Sequence, residues 1–218
     1  MFKKIIIKIK DMKKHPNSFL KRRYMNFYNY YFIKLNNLKN YSITNPNEIQ
    51  ETPNSKQHSR AILDGWLYLT KKLIQKFKQE HNLNEYNFLD IGSGNGLPLI
   101  FVKKKFNFNS VSGFDLFKEI VERSRDNIKR SGEKDINVFV ADANSFVIPN
   151  QKNLIYMFNP FSEKVLRSFM KNNIEILKKT NSVIAYYNQI GGDLKVIRSF
   201  AHKSISTDRY YGISLILF

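Results

Sequence analysis

Short apolar runs alternate with amphipathic stretches from residue 86 to residue 218. The runs have the length of β-strands, and the longer stretches repeat their apolar positions at the 3.6-residue period of an α-helix. The predicted strands cover residues 86–91, 109–114, 136–141, 153–158, 182–188, 204–208 and 212–218. The predicted helices cover residues 96–105, 117–131, 162–179 and 193–201.

Such alternation predicts an α/β fold, in which a mainly parallel sheet is covered by helices on both faces. The last two strands follow each other without room for a helix between them. Because strands joined by a short turn pair antiparallel, we expect the sheet to end in an antiparallel C-terminal hairpin.

The beginning of the chain has a basic amphipathic pattern. Residues 2–14 place apolar side chains at helical spacing, with lysines largely on the opposite face. A helix of this kind lies on a membrane surface or docks on a partner. The alternative is a helix whose apolar face packs on the protein's own core.

A second helix is predicted after Pro16, with Asn17 or Ser18 as its N-cap. Its large apolar residues recur at helical intervals, at Leu20, Tyr24, Phe27, Tyr28, Tyr31, Leu35 and Leu38. Aromatic residues beside basic ones can hold nucleic acid by stacking and phosphate contact. Aromatic residues at a helical period are more often core residues, and we expect the stripe to be buried.

The next segment, residues 40–54, is polar and contains two prolines, which predicts a connecting loop. A further helix is predicted to start at Ser55, to include Gly65 and to expose Arg60 to solvent. Its predicted apolar face consists of Ile62, Leu63, Trp66, Leu67, Leu73, Ile74 and Phe77. We therefore predict a helical extension over residues 1–54 and an α/β domain over residues 55–218.

Charge is strongly unbalanced, with a formal net charge of +18. In the first 60 residues, basic side chains outnumber acidic ones by thirteen to three. Such a field attracts anionic partners, so residues 1–39 are predicted to bind RNA or an anionic membrane surface. The alternative is compositional, because lysine, asparagine and isoleucine are frequent along the whole chain.

Composition also excludes several classes of site. The chain has no cysteine, which excludes disulfides and cysteine-based zinc or redox sites. Its four histidines form no metal-ligand pattern, so no metal site is predicted. No apolar stretch approaches the ~18 residues of a membrane span, and the first residues lack the pattern of a signal peptide. The expected location is the cytoplasm, with peripheral membrane attachment left open.

The residues FLDIGSGNGLPLI at positions 88–100 carry the clearest chemical signal. An apolar run that suits a buried strand is followed at once by three glycines in the spacing G-x-G-x-G. The dinucleotide fingerprint would need its third glycine at position 97, which is Leu97. Asp90 would repel a pyrophosphate but would tolerate a cationic ligand without phosphate, such as S-adenosylmethionine.

The chain here resembles the class I S-adenosylmethionine-dependent methyltransferases. The resemblance rests on four motifs in order, at 90–96 (DIGSGNG), 113–115 (GFD), 141–143 (ADA) and 158–161 (FNPF). It covers residues 85–218 and implies a Rossmann-like fold.

The resemblance also implies how the cofactor binds. The implied cofactor-binding residues are Asp90, Gly92, Ser93, Gly94, Gly96, Asp115, Asp142 and Ala143. Gly92 and Gly94 would let the backbone approach the methionine part. Asp115 would accept both ribose hydroxyls, unless it only caps the following helix. Asp142 would accept from the adenine amino group while Ala143 reads the ring edge, unless Asp142 is a turn residue.

The fourth motif would face the methyl group, and Asn159 and Pro160 are the predicted catalytic residues. In families with Asn-Pro-Pro-aromatic, the Asn side chain and the Pro carbonyl bind the planar amine that is methylated. This chain has Phe161 at the third position, as in a bacterial branch of the superfamily with a Phe-Asn-Pro-Phe motif. A simple Asn-Pro turn is the alternative.

We therefore predict an S-adenosylmethionine-dependent methyltransferase whose acceptor is a small molecule or a glycan, with RNA or protein close behind. One alternative is a non-catalytic cofactor-binding protein that acts on nucleic acid or a membrane surface. Another is a NAD-dependent oxidoreductase, since an aspartate after the second strand also binds the ribose of NAD.

Overall fold

A seven-stranded sheet organises the chain in the order β3-β2-β1-β4-β5-β7-β6. The computed structural model describes residues 16–41, 44–60, 65–187, 193–208 and 213–218. The strands are β1 (Asn87–Ile91), β2 (Ser110–Asp115), β3 (Ile136–Val140), β4 (Asn153–Phe158), β5 (Val183–Tyr187), β6 (Lys203–Asp208) and β7 (Ile213–Leu217). The α-helices are α1 (Pro16–Leu35), α2 (Leu67–Phe77), α3 (Leu97–Lys105), α4 (Lys118–Ser131), α5 (Glu163–Lys179) and α6 (Asp193–Arg198).

Strand directions confirm the predicted fold class. The first five strands are parallel neighbours, whereas β7 runs antiparallel between β5 and β6. The sheet is therefore mainly parallel and ends in the expected antiparallel hairpin. The strand bounds were predictable because β1, β4 and β5 are buried nearly throughout, as strands covered on both faces are.

Two apolar cores lie on opposite faces of the sheet. On one face, side chains of α1, α2 and α3 pack with residues such as Phe88 and Tyr156. On the other face, α5 and α6 pack with residues such as Leu89 and Ile155. Because successive side chains of a strand point to opposite faces, each strand contributes to both cores.

The predicted aromatic face of α1 is wrong as a core face. Five residues of that stripe are 50% to 67% exposed, namely Leu20, Tyr24, Phe27, Tyr31 and Leu35. The residues that α1 buries are Met25, Asn29, Phe32 and Ile33. Both faces repeat with the helical period, so periodicity alone selected the larger side chains and the wrong side of the helix.

The predicted start of the following helix is also wrong. Helix α2 begins at Leu67, and Gly65 lies before it in irregular backbone. The Asn29 side chain of α1 donates to the Gly65 carbonyl at 2.8 Å and accepts the Leu67 N–H at 3.0 Å. A Cβ at Gly65 would lie 3.0 Å from the Tyr156 hydroxyl oxygen. The helix therefore starts where a side chain of α1 satisfies its backbone.

Other expectations for the N-terminal part stand apart from these corrections. Asn17 and Ser18 lie within α1 and not before it. The predicted helix over residues 2–14, and residues 62 and 63 of the predicted apolar face, lie outside the described residues. The division at residue 54 stays a prediction. None of the described helices is long and apolar enough to cross a bilayer.

We expect Asn29→Ala to lower the free energy of unfolding by about 2 kcal/mol, because it leaves the buried Gly65 carbonyl and Leu67 N–H unpaired. Urea unfolding measures this change. The control is Asn26→Ala, which removes one exposed hydrogen bond from the Trp66 indole and should cost less than about 1 kcal/mol. Equal losses in the two variants would contradict the role of Asn29.

Candidate functional site

A cleft lies beyond the carboxyl ends of the parallel strands, where open α/β sheets bind their ligands. It encloses about 670 Å³ of empty space, including space open to solvent. The four segments that follow β1, β2, β3 and β4 all contribute to its wall, and a fifth comes from residues 55–60. The polar and glycine residues of the wall are Ser55, Ser59, Arg60, Gly92, Gly94, Asp115 and Asp142.

The turn after β1 holds its three glycines at positive φ, with 73° at Gly92, 53° at Gly94 and 78° at Gly96. A Cβ at Gly92 would lie 2.5 Å from the Pro160 side chain, and a Cβ at Gly96 would lie 2.3 Å from the Ser124 hydroxyl oxygen. The turn therefore needs glycine for its backbone conformation and for close contacts within the protein. At Gly92, the space that we expected a ligand to occupy is filled by Pro160.

Asp115 ends β2 and lies in the wall of the cleft with 6% of its surface exposed. One carboxylate oxygen accepts the Gly94 N–H at 3.1 Å. Burial raises the pKa of Asp115 from 3.8 to about 6, although the backbone N–H groups of Gly94, Phe117 and Leu116 oppose this rise. The carboxyl group is thus fixed beside the glycine turn in surroundings that resist its negative charge.

The alternative role for Asp115, as the cap of α4, belongs to a different residue. Glu51 reaches the start of α4 from the N-terminal part of the chain. Its carboxylate accepts the Lys118 N–H at 2.9 Å and the Glu119 N–H at 2.8 Å. A carboxylate in this position also interacts favourably with the helix dipole.

Asp142, after β3, is held from two sides. One carboxylate oxygen accepts the Ser55 hydroxyl at 2.6 Å, and the other accepts the Asn144 N–H at 2.8 Å. The second contact is the local turn that we considered as the alternative role for this residue. Asp142 nevertheless lies in the cleft wall next to Ala143. It can take part in binding while it also shapes its own loop.

The segment 55–60 lies across the fourth motif. The Arg60 N–H donates to the Pro160 carbonyl at 3.2 Å, and Ser59 forms an antiparallel bridge with Phe161. The Asn159 backbone is left-handed, with φ of 47°, and its side chain accepts the Tyr186 hydroxyl at 3.4 Å. Both polar groups of the Asn-Pro pair are therefore engaged within the protein.

Comparison with known families decides the class of this domain. Residues 88–180 match the profile of a methyltransferase domain family. The match spans β1 to α5 and includes all four sequence motifs. The chain contains a class I S-adenosylmethionine-dependent methyltransferase domain. The resemblance drawn from the motifs is thus confirmed at the level of the superfamily.

Solved structures agree on the fold. A precorrin-6y C5,15-methyltransferase from Geobacter metallireducens has 11% identity and a TM-score of 0.51, over 79% of this chain and 94% of that chain. An RNA methyltransferase from Salinibacter ruber in complex with S-adenosyl-L-homocysteine has 14% identity and a TM-score of 0.48, over 68% and 90%. The YcgJ protein from Bacillus subtilis has 18% identity and a TM-score of 0.44, over 61% of this chain and only 57% of that chain. No curated protein matches the sequence.

Within the methyltransferase domain, the predicted site residues fall into two groups. Those in the cleft wall are Gly92, Gly94, Asp115, Asp142, Ala143 and Pro160. Those buried nearby but outside the wall are Asp90, Ser93 and Asn159, and Gly96 starts α3 behind the turn. Their binding and catalytic roles remain predictions.

Sequence reasoning missed part of the wall of the methyltransferase cleft. Arg60 was expected on a solvated helix face, but it lines the cleft from a segment that is not α-helical. The other unpredicted wall residues are Ser55, Ser59, Leu116, Phe117, Phe158, Phe161 and Val165. Residues 55–60 carry no motif, and only their contacts with distant loops reveal them.

Asp90 lies under the glycine turn with 1% of its surface exposed. One of its carboxylate oxygens has no hydrogen-bond partner among the described residues. Burial raises the pKa of Asp90 well above its ordinary value, and the charge of Asp115 raises it further. The methyltransferase domain therefore places two carboxyl groups in a region that disfavours two negative charges.

We expect Asp115→Asn to stabilise the ligand-free protein at pH 8. The pKa of Asp115 is higher in the folded than in the unfolded state, so the folded protein loses stability as the pH rises from about 4 to about 6. The variant should gain up to about 3 kcal/mol at pH 8 and almost nothing below pH 4, from the shift of 3.8 to about 6. Urea unfolding at both pH values measures the gain.

The control for this prediction is Asp126→Asn on the surface. A hydrogen bond from Lys39, followed by one from Arg130, lowers the pKa of Asp126. The sign is therefore opposite, and this variant should be no more stable than the wild type at pH 8. A gain in Asp126→Asn as large as that in Asp115→Asn would show that net charge causes the effect.

Proposed function

We propose that this protein transfers the methyl group of S-adenosylmethionine to a small-molecule or glycan acceptor. The observation that carries the proposal is the position of Asp115, at the tip of β2, in the cleft wall and bonded to the glycine turn. This arrangement brings a fixed hydrogen-bond acceptor next to backbone that a ligand can approach.

The residues of the cleft fit this cofactor. The Asp115 carboxylate can accept ribose hydroxyls, while Asp142 and the backbone at Ala143 lie where the adenine ring would be read. Leu116 and Phe117 supply apolar surface beside them. Two carboxylates in the wall favour a cationic ligand and disfavour the pyrophosphate of NAD.

The cofactor supplies an already activated methyl group, so the protein mainly has to align the acceptor. The wall near the fourth motif offers Phe158, Phe161 and Val165 as apolar surface, with Ser59 and Arg60 as polar groups. A few polar groups in an apolar wall are typical of small-molecule sites.

The state of the Asn-Pro pair supports an acceptor other than a nucleobase amine. In families that methylate planar amines, the Asn side chain and the Pro carbonyl hold the amine. Here the Pro160 carbonyl accepts the Arg60 N–H, and the Asn159 side chain accepts the Tyr186 hydroxyl. We therefore assign Asn159 and Pro160 to shaping the acceptor side of the cleft.

We expect Asp115→Ala to abolish binding of S-adenosylhomocysteine, because the ribose would lose its acceptor. In the wild type, affinity should rise about tenfold between pH 5 and pH 7 if only ionised Asp115 binds the ribose, given its pKa of about 6. Isothermal titration calorimetry measures both effects, with Asp126→Ala as the control. Unchanged affinity in Asp115→Ala, or preferential binding of NAD, would contradict the proposal.

The acceptor can be tested with radiolabelled S-adenosylmethionine and separate fractions of small molecules, lipid-linked glycans, RNA and protein. We expect label in the small-molecule or glycan fraction and none with Asp115→Ala. Label in RNA or protein would replace the proposed acceptor. Binding of S-adenosylhomocysteine without transfer to any fraction would favour a cofactor-binding protein that does not catalyse transfer.

A further inference from the structure

Helix α1 carries an exposed apolar stripe, which we call the aromatic stripe. It consists of Leu20, Tyr24, Phe27, Tyr31 and Leu35, which are each at least 50% exposed. The spacing of three or four residues keeps these side chains on one side of the helix. At 1.5 Å per residue, the aromatic stripe is about 22 Å long. Large apolar surfaces of this kind mark binding sites on soluble proteins.

The opposite side of α1 holds the helix firmly on the α/β domain. Met25, Phe32 and Ile33 are buried in the core, and Asn29 bonds to the backbone before α2. The aromatic stripe is therefore presented outward by an anchored helix. It has no role in the core that the structure describes.

The charges around the aromatic stripe are positive. Helix α1 contains four basic residues and no acidic residue. The helical period places Arg23 and Lys34 along one edge of the stripe, and Lys34 lies 5.8 Å from the centre of the Tyr30 ring. On the other edge, the Tyr68 ring packs edge-on against Tyr24 at 5.0 Å and carries Lys72 5.0 Å above it.

We propose that the aromatic stripe binds an anionic membrane surface, with α1 parallel to the membrane plane. Leucine and phenylalanine side chains enter the acyl boundary, tyrosine suits the headgroup level, and lysine or arginine at the edges pairs with anionic lipid. The pattern needs a partner that is apolar in the middle and anionic at the sides. A membrane of acidic phospholipids has both properties.

Two other occupants fit less well. A second copy of the protein would bring α1 helices without acidic residues together, so Arg23 and Lys34 would face like charges. Single-stranded RNA would need open ring faces, but Phe27 and Tyr31 lie nearly parallel, 6.2 Å apart with 16° between their planes. The leucines at both ends of the stripe also cannot stack with bases.

The full-length chain should sediment with vesicles of phosphatidylcholine and phosphatidylserine, and weakly with phosphatidylcholine alone. The double variant Phe27→Ser with Tyr31→Ser should lower the partition coefficient by at least about tenfold, because two aromatic side chains no longer enter the lipid. Lys34→Gln should lower it by about fivefold on anionic vesicles only. Both sites are exposed, so thermal unfolding should change little.

The matched control is Val147→Ser, which removes an exposed apolar side chain 56% accessible to solvent in the segment between β3 and β4. It should bind vesicles like the wild type. Equal vesicle binding by the double variant, or no binding by the wild type, would overturn the proposal. So would a double variant that loses RNA oligonucleotide binding or self-association while the wild type ignores vesicles. These results do not depend on which acceptor is methylated.

Discussion

The cofactor cleft depends on a carboxyl group that the protein holds where its charge is unfavourable. Asp115 is buried at the tip of β2, and its pKa is raised to about 6 by burial. Asp90 lies close enough for each charge to oppose the other, and its own pKa is raised further. A ligand with a sulfonium and an amino group offsets this cost when it binds. The empty site is thus electrostatically prepared for a cation, at the expense of stability above pH 6.

The segment from residue 45 to residue 60 completes this site from outside the matched family region. Glu51 caps α4, Ser55 holds Asp142, and Arg60 donates to the fourth motif. These three contacts reach the loops after β2, β3 and β4 in turn. The segment therefore orders the loops that carry the predicted cofactor contacts. It also explains why the Asn-Pro pair is engaged internally and not left open to an amine.

How far the sequence predicts this structure depends on whether a feature is local. The strands and the glycine turn were predictable, because buried strands need continuous apolar runs and the turn needs glycine for its backbone conformation. The orientation of α1 was not, since its exposed and buried faces have the same period. The start of α2 and the position of Arg60 were not either. Each depends on a contact with residues far away in the chain, with Asn29 in one case and Pro160 in the other.

The two functional surfaces are joined by a short path of hydrogen bonds. After α1, the Lys39 N–H donates to the side chain of Asn127 at 2.8 Å, and this fully buried side chain donates to the Asn95 carbonyl at 3.1 Å. Asn95 belongs to the glycine turn, so the end of α1 is tied to the backbone beside the cofactor cleft. A helix fixed in this way cannot reorient without disturbing the turn. If the aromatic stripe lies on a membrane, the cleft must therefore keep one orientation towards it, and acceptors at that surface would meet the methyltransferase site at a constant distance.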